Sequence, residues 1–235
     1  MPNVYTILVA DSSLETFPSE LLSNLPVRNF FRKIKKKPSD IILDSNYHSR
    51  FMSNLPNLSK RGRPDIPHLA LLACFGSLLS QDSRLRVFIH TINDLIIEFH
   101  PSIRLPKNLD RFKGLMIQLF KEGRVPPLSD EPLLTLRPQS LTQFLISARE
   151  KHDLIVEFSL KGDVLPSREY AYLLSSRCSN PLLIFGGFSH GHLNIDSKFV
   201  DYRLSIYPHG LELFSVISHV LATLYNFEEE QNVNL

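Results

Sequence analysis

The chain has 235 residues, 43% hydrophobic and 21% charged. That ordinary globular balance excludes a wholly disordered, fibrous or collagen-like chain. Two cysteines, Cys74 and Cys178, make no CxxC pair and exclude a disulfide framework or a cysteine-based zinc cage, while the net charge of +2 is close to neutral.

Residues 4–10 are a short apolar run bounded by Asp11, Ser12 and Ser13, and read as a buried strand. Residues 19–25 and 27–37 read as helices. Pro38 ends the second, because the residue before a proline is pushed out of the α region. Residues 40–43 read as a strand and 55–60 as a loop. A helix is expected over 64–79, with Pro64 at its first position, where a missing N–H costs nothing. Residues 85–91 and 95–99 are β-like, and Ile92, Asn93 and Asp94 join them in a hairpin. Residues 101–106 read as extended. A helix over 109–121 puts Phe112, Leu115, Met116 and Leu119 on one face, with Gly123 as its C-cap. After a linker-like loop at 126–132, short strands alternate with helices. Strands are expected at 133–136, 154–158, 182–185 and 202–207, and helices at 141–150, 167–177 and 211–227. That alternation implies an α/β fold with a parallel sheet covered on both faces. The hairpin and its helix, about 84–125, look inserted in it. One domain over 1–235 is expected, since neither half holds a complete sheet.

Two loops stand out for chemistry. Phe185-Gly186-Gly187-Phe188-Ser189-His190-Gly191-His192 follows a buried strand, where ligands of α/β sheets bind and where glycines let a backbone come close. It is neither a Walker A loop nor a good dinucleotide fingerprint. Leu204-Ser205-Ile206-Tyr207-Pro208-His209-Gly210-Leu211 ends a strand at the same sheet edge and offers a second ligand wall. A third segment, Arg61-Gly62-Arg63-Pro64-Asp65, places a carboxylate two residues after an arginine at a helix start. Such a carboxylate can fix a guanidinium as a fork for phosphate or a base edge, or can simply favour the helix N-terminus.

His190, His192 and His209 lack a matching carboxylate pattern, so no metal is expected. Cys74 lies in an apolar helical pattern and reads as core, and Cys178 has no visible base. The apolar stretch 69–79, interrupted by Gly76 and Ser77, is too short to span a bilayer. The start MPNVYTILVAD has no basic n-region, so no secretory signal or membrane association is expected. The basic residues are clustered: six within Arg28–Lys37, then Lys60, Arg61 and Arg63, then Arg84 and Arg86, then Arg104, Lys107, Arg111 and Lys113. Each cluster alone could be a solvated face. Together they favour a nucleic acid, whose backbone rewards several cations at once.

Taken in order, residues 61–68, 103–119 (IRLPKNLDRFKGLMIQL), 185–191 (FGGFSHG) and 204–211 (LSIYPHGL) resemble the pseudouridine-N1-specific ribosomal RNA methyltransferases of the SPOUT class. The resemblance runs from about Asp40 to the last helix, and residues 1–38 fit only loosely. It implies a SPOUT-type α/β knot, with a C-terminal trefoil knot and S-adenosylmethionine bound in the knotted part, about 154–227. Cofactor walls would be Gly186, Gly187 and Gly191, then Leu204, Ser205, Ile206, Tyr207, Pro208, His209 and Leu211, with Leu160 as a third wall. RNA-contacting positions fall on Arg63, Arg104, Lys107 and Arg111, and the implied catalytic residues are Arg63 and Asp65, the latter matching a carboxylate that holds Arg63 and either steers it or takes the N1 proton itself, steering being the preferred role. Lys107 stands where the family often has arginine, which keeps the charge but loses the bidentate fork. A homodimer on small-subunit ribosomal RNA is implied, acting in the cytoplasm, or in the nucleolus of a eukaryote.

The competing expectations are an RNA-binding assembly factor that works without catalysis, a SPOUT methyltransferase for another nucleotide, and a plain nucleotide-binding module.

Overall fold

A computed structural model describes residues 3–233. Its strands are β1 (Tyr5–Ser12), β2 (Leu85–Thr91), β3 (Leu95–Phe99), β4 (Arg124–Val125), β5 (Leu134–Pro138), β6 (Leu154–Val164), β7 (Pro181–Gly186) and β8 (Tyr202–Ser205). They form one sheet in the order β4-β5-β3-β2-β1-β7-β6-β8. From β2 to β8 all neighbours are parallel, and β3, β5 and β4 extend the sheet as an antiparallel wing. The hairpin of β2 and β3 is thus no separate insertion. β2 pairs directly with the central strand β1, and β3 begins the wing.

The apolar runs explain the centre. β1 and β7 are buried on both faces, so they need no alternation of apolar and polar residues. On one face, Tyr5, Ile7 and Val9 of β1 meet the helices α3 (Asp65–Phe75), α5 (Leu109–Glu122), α7 (Ser167–Ser176) and α8 (Leu213–Val233). On the other, Leu8 and Ala10 meet Phe144, Leu145 and Ala148 of α6 (Leu141–Arg149) and Ile195. Ile217, Val220, Leu221, Leu224 and Phe227 recur at helical spacing along the buried side of α8. Each such side chain contributes about 1.5–3 kcal/mol on burial. The C-terminal half of α8 is latched by Glu228, which pairs with Arg84 and accepts from the Tyr5 hydroxyl.

A smaller cluster lies apart. Phe17, Val27, Phe31, Leu43, Phe51 and Met52 pack α1 (Leu25–Ile34) on α2 (Ser45–Met52), with Phe17 and Phe31 edge to face at 4.9 Å.

Several elements differ from the sequence reading. Residues 40–43 make no strand: Ile42 forms a lone bridge to Thr16, and Pro38–Asp40 is a 3-10 turn. Residues 19–25 form only a 3-10 turn, Ser19–Ser23. α2 was not anticipated, and Asp44 caps it by accepting from the Asn46 N–H. The helix expected over 64–79 breaks at Gly76, and Ser77 caps a separate turn, α4 (Leu78–Gln81). β6 runs six residues beyond Phe158, and β8 stops at Ser205. The hairpin strands, α5 and its αL cap at Gly123 match the expectation.

Candidate functional site

Because β6, β7 and β8 run parallel, the segments that follow them emerge on one side of the sheet. β6 departs from β8 between Phe158 and Asp163, and the intervening residues bulge outward. The bulge returns through Gly162, where a Cβ would lie 2.5 Å from the backbone of Leu204. Only glycine permits that crossing. The bulge, the loop after β7 and the loop after β8 enclose a cavity of about 350 Å³, within the roughly 300–1,000 Å³ range of small-molecule sites.

Leu160, Gly186, Gly191, Leu204, Ser205, Ile206, Tyr207, His209 and Leu211 all line this cavity. Gly187 and Pro208 are not on its wall. Gly187 is buried against β1, with its N–H donating to the Ala10 carbonyl at 2.7 Å and its carbonyl accepting from the Ser13 N–H at 3.0 Å. A Cβ there would sit 2.3 Å from Ser12 Oγ, so the second glycine of the loop serves close packing. His190, His192 and His209 line the exposed mouth. Among the described residues no group of three or more His, Cys, Asp or Glu is arranged to hold a metal. No helix among them is long and apolar enough to cross a membrane.

The loop after β7 is held from the opposite side. Ser189 Oγ donates to the Ser59 carbonyl at 2.9 Å, and Lys60 Nζ lies 4.4 Å from the centre of the Phe188 ring. Lys60 also pairs with Asp11 at 2.8 Å. Burial alone would raise the Asp11 carboxyl, but His90 and Lys60 hold it below its ordinary value. Next to Lys60, Arg61 makes a buried bidentate pair with Glu15, at 2.7 and 2.6 Å.

Arg63 joins this support to the cavity. Its N–H donates to Ser13 Oγ at 2.6 Å, and its side chain lines the cavity. Asp65 accepts from Arg63 Nε at 2.9 Å and from Nη2 at 2.7 Å. Burial pushes the Asp65 carboxyl up, yet the Arg63 hydrogen bonds and charge prevail and hold it below the usual carboxylate value. The guanidinium is raised in turn by the same hydrogen bonds. Asp65 is therefore ionised and Arg63 is a fixed fork.

Arg104, Lys107 and Arg111 are exposed and form no ion pair among the described residues. The segment that carries them is seated on α3, since His68 Nε2 donates to the Pro106 carbonyl at 2.8 Å and stacks on Phe112 at 4.4 Å. Arg28, Arg32, Lys33, Lys35 and Lys36 form no ion pair among the described residues, while Lys37 acts on Asp40 and Lys113 is engaged by Asp44. Cys74 and Cys178 are both pushed up to about 12 by burial, so neither is a thiolate.

Sequence reasoning missed the parts of the cavity that lie inside strands. Phe158 stacks flat on Phe185 at 4.9 Å beneath it. Glu157, Ser159 and Phe188 also line it, as do Ile66 at the start of α3 and Leu213 and Val216 of α8. A charged residue inside the apolar run LIVEF was the one visible signal for Glu157.

Comparison with known proteins agrees with this architecture. The family model described as EMG1/NEP1 methyltransferase matches residues 7–225. A ribosomal RNA small subunit methyltransferase Nep1 from Pyrococcus furiosus is 36% identical over 222 residues, covering 94% of this chain and 96% of the relative. The Nep1 of Methanothrix thermoacetophila is 37% identical, covering 94% and 95%. The crystal structure of Archaeoglobus fulgidus Nep1 bound to S-adenosylhomocysteine superposes with a TM-score of 0.79 at 27% identity, covering 97% of this chain and all of that one. The mixed α/β fold is thereby that of a Nep1 protein, with which a C-terminal SPOUT knot is consistent. With its sheet, its cavity and a match along nearly its whole length, the chain belongs to the EMG1/NEP1 methyltransferase family.

Proposed function

We propose that this protein methylates N1 of a pseudouridine in a loop of small-subunit ribosomal RNA, with S-adenosylmethionine as donor. One observation carries the reading: the Arg63–Asp65 fork stands on the wall of the cavity at the strand ends, so an anion-binding group and a small-molecule site share one space. The names of the relatives and the S-adenosylhomocysteine in the solved structure support it.

The residues present fit the donor. Leu160, Ile206 and Leu211 offer apolar walls, and the backbone near Gly186 and Gly191 can approach an adenosyl group. When bound, S-adenosylmethionine supplies a methyl group on an electrophilic sulfonium. The protein contributes proximity and orientation. The nucleotide enters from the RNA side, where Arg63 meets a phosphate or base edge. Arg104, Lys107 and Arg111 hold the flanking backbone. Transfer would form the N1–methyl bond at the expense of the sulfur–methyl bond, with the N1 proton passing to water. Asp65 steers Arg63 and does not take that proton, because a carboxylate held low by an arginine is a poor base.

We further take the chain as one domain acting as a homodimer, with RNA crossing both subunits. It would act in the cytoplasm, or in the nucleolus if its source is eukaryotic. The test is mass spectrometry of two short RNA hairpins, one with uridine and one with pseudouridine at the loop position, after incubation with protein and S-adenosylmethionine. A methyl gained only on pseudouridine is expected. A gain on uridine would move the reading to another nucleotide. Tight RNA binding without any gain would move it to an assembly factor.

A further inference from the structure

Glu157 has no evident structural reason to be where it is. It lies in β6 opposite Ile184 of β7 and Arg203 of β8, on the sheet face that carries Ile155 and Leu182. It is 2% exposed. A buried ion pair is weak support for stability, and an apolar residue of similar size would serve a strand interior as well or better. The pair is also lopsided. Arg203 Nε donates to Glu157 Oε2 at 2.7 Å, while Arg203 Nη2 turns away to the Ile195 carbonyl at 3.2 Å. Glu157 Oε1 has no partner among the described residues, and Glu157 belongs to the cavity wall.

We propose that Glu157 is a specificity-determining residue that accepts a hydrogen bond from the ribose hydroxyls of the adenosyl group. This rests on the reading of the cavity as the methyl-donor site. An ionised carboxylate only accepts hydrogen bonds, so the partner must be a donor. The adenosyl donors are the vicinal hydroxyls, the exocyclic amine and the ammonium of the amino-acid end. Arg203 already neutralises Glu157, which leaves no net charge to draw the ammonium to the cavity floor. The exocyclic amine lies on a flat aromatic ring that suits the apolar walls. The vicinal hydroxyls are the donors a buried carboxylate commonly takes at the carboxyl end of a parallel strand. Arg203 holds the carboxylate in place and is a positioning residue.

The test is calorimetric titration of S-adenosylhomocysteine and its 2′-deoxy and 3′-deoxy forms into the wild-type protein and Glu157→Gln. In the variant the amide oxygen faces Arg203, so its NH₂ can only donate to a ribose hydroxyl, and a neutral bond replaces the charge-assisted one that the carboxylate accepts. Wild type is expected to bind at least one deoxy form about tenfold more weakly than the parent. Glu157→Gln should lose a similar factor for the parent and nothing further for that deoxy form. The proposal is overturned if wild type binds all three equally, a result that needs no variant to fold. It is also overturned if Glu157→Gln weakens all three alike, which is the signature of lost packing or of an amine contact. Should wild type bind no S-adenosylhomocysteine, the reading of the cavity fails, and that outcome is distinct from loss of selectivity among the three.

Discussion

Two basic segments of this chain look alike in sequence and differ in the fold. Lys60, Arg61 and Arg63 are each engaged by a carboxylate, from Asp11, Glu15 and Asp65 respectively. Among the described residues Arg104, Lys107 and Arg111 have none. Lys60 and Arg61 spend their charge inside the protein, whereas Asp65 orients Arg63 as a fork that stays open to the cavity. The second set keeps its charge for an outside anion. Basic clustering by itself thus overstates the nucleic-acid surface, because cations largely buried with their carboxylates, as Lys60 and Arg61 are, do not belong to it.

The largest effect should come from the most buried member of the first set. Arg61→Ala leaves Glu15 buried without its counter-charge, with only the Asn93 amide among the described residues donating to its carboxylate, so urea unfolding should show a loss of about 3–5 kcal/mol. A loss below 1 kcal/mol would mean that Glu15 finds water or another partner. Arg63→Ala should fold normally and slow methyl transfer by roughly 100-fold, the scale of a misplaced substrate. Normal turnover on the RNA hairpin would remove Arg63 from the site. In the second set, Arg104→Ala and Arg111→Ala should each weaken RNA binding by about tenfold, and each should flatten the salt dependence by roughly 0.7–0.9 of a logarithmic unit. Unchanged salt slopes would show that the open segment faces no phosphate.

The smallest effect is a flat line. Asp65 has a lowered pKa, so the Arg63 fork is intact above the ordinary aspartate value and is lost only as pH falls through the lower folded value. Asp65→Asn should slow transfer because Arg63 loses its guide. The ratio of wild-type to variant rate should stay constant from roughly pH 5 to 8. A ratio that falls as pH rises in that window, with hydroxide standing in for the lost base in the variant, would make Asp65 the proton acceptor. An unchanged rate at every pH would deny it both roles.

What could be read from the sequence was what is local. The hairpin at 85–99 and α5 carry their periodicity and turn residues within a few positions, and both match. α2 was hidden because its buried residues are His48, Phe51 and Met52 in a polar setting, organised by the Asp44 cap and by the Phe30 ring of α1. The antiparallel wing was hidden because pairing direction is set by distant strands. At the site, the glycine and Tyr-Pro-His-Gly loops were visible as loops after strands. Gly187 and Pro208 could not be told from their cavity-lining neighbours, since Gly187 turns toward β1 packed behind it and Pro208 stands exposed in the loop after β8. The Glu157–Arg203 pair joins residues 46 positions apart, and no local pattern announces it.

The latch on α8 has a consequence for the order of assembly. β1 at the centre of the sheet waits for β2 and then for β7, more than 170 residues later in the chain. Tyr5 and Arg84 receive Glu228 last. Contacts so distant in sequence make folding slow, because the loops they close cost entropy before any pairing repays it. A chain still emerging from the ribosome can form its hairpin and α5 early. It cannot close the cavity until the loop after β8 and most of α8 have been made. A prematurely ended chain would therefore keep its open basic segment while having no methyl-donor site.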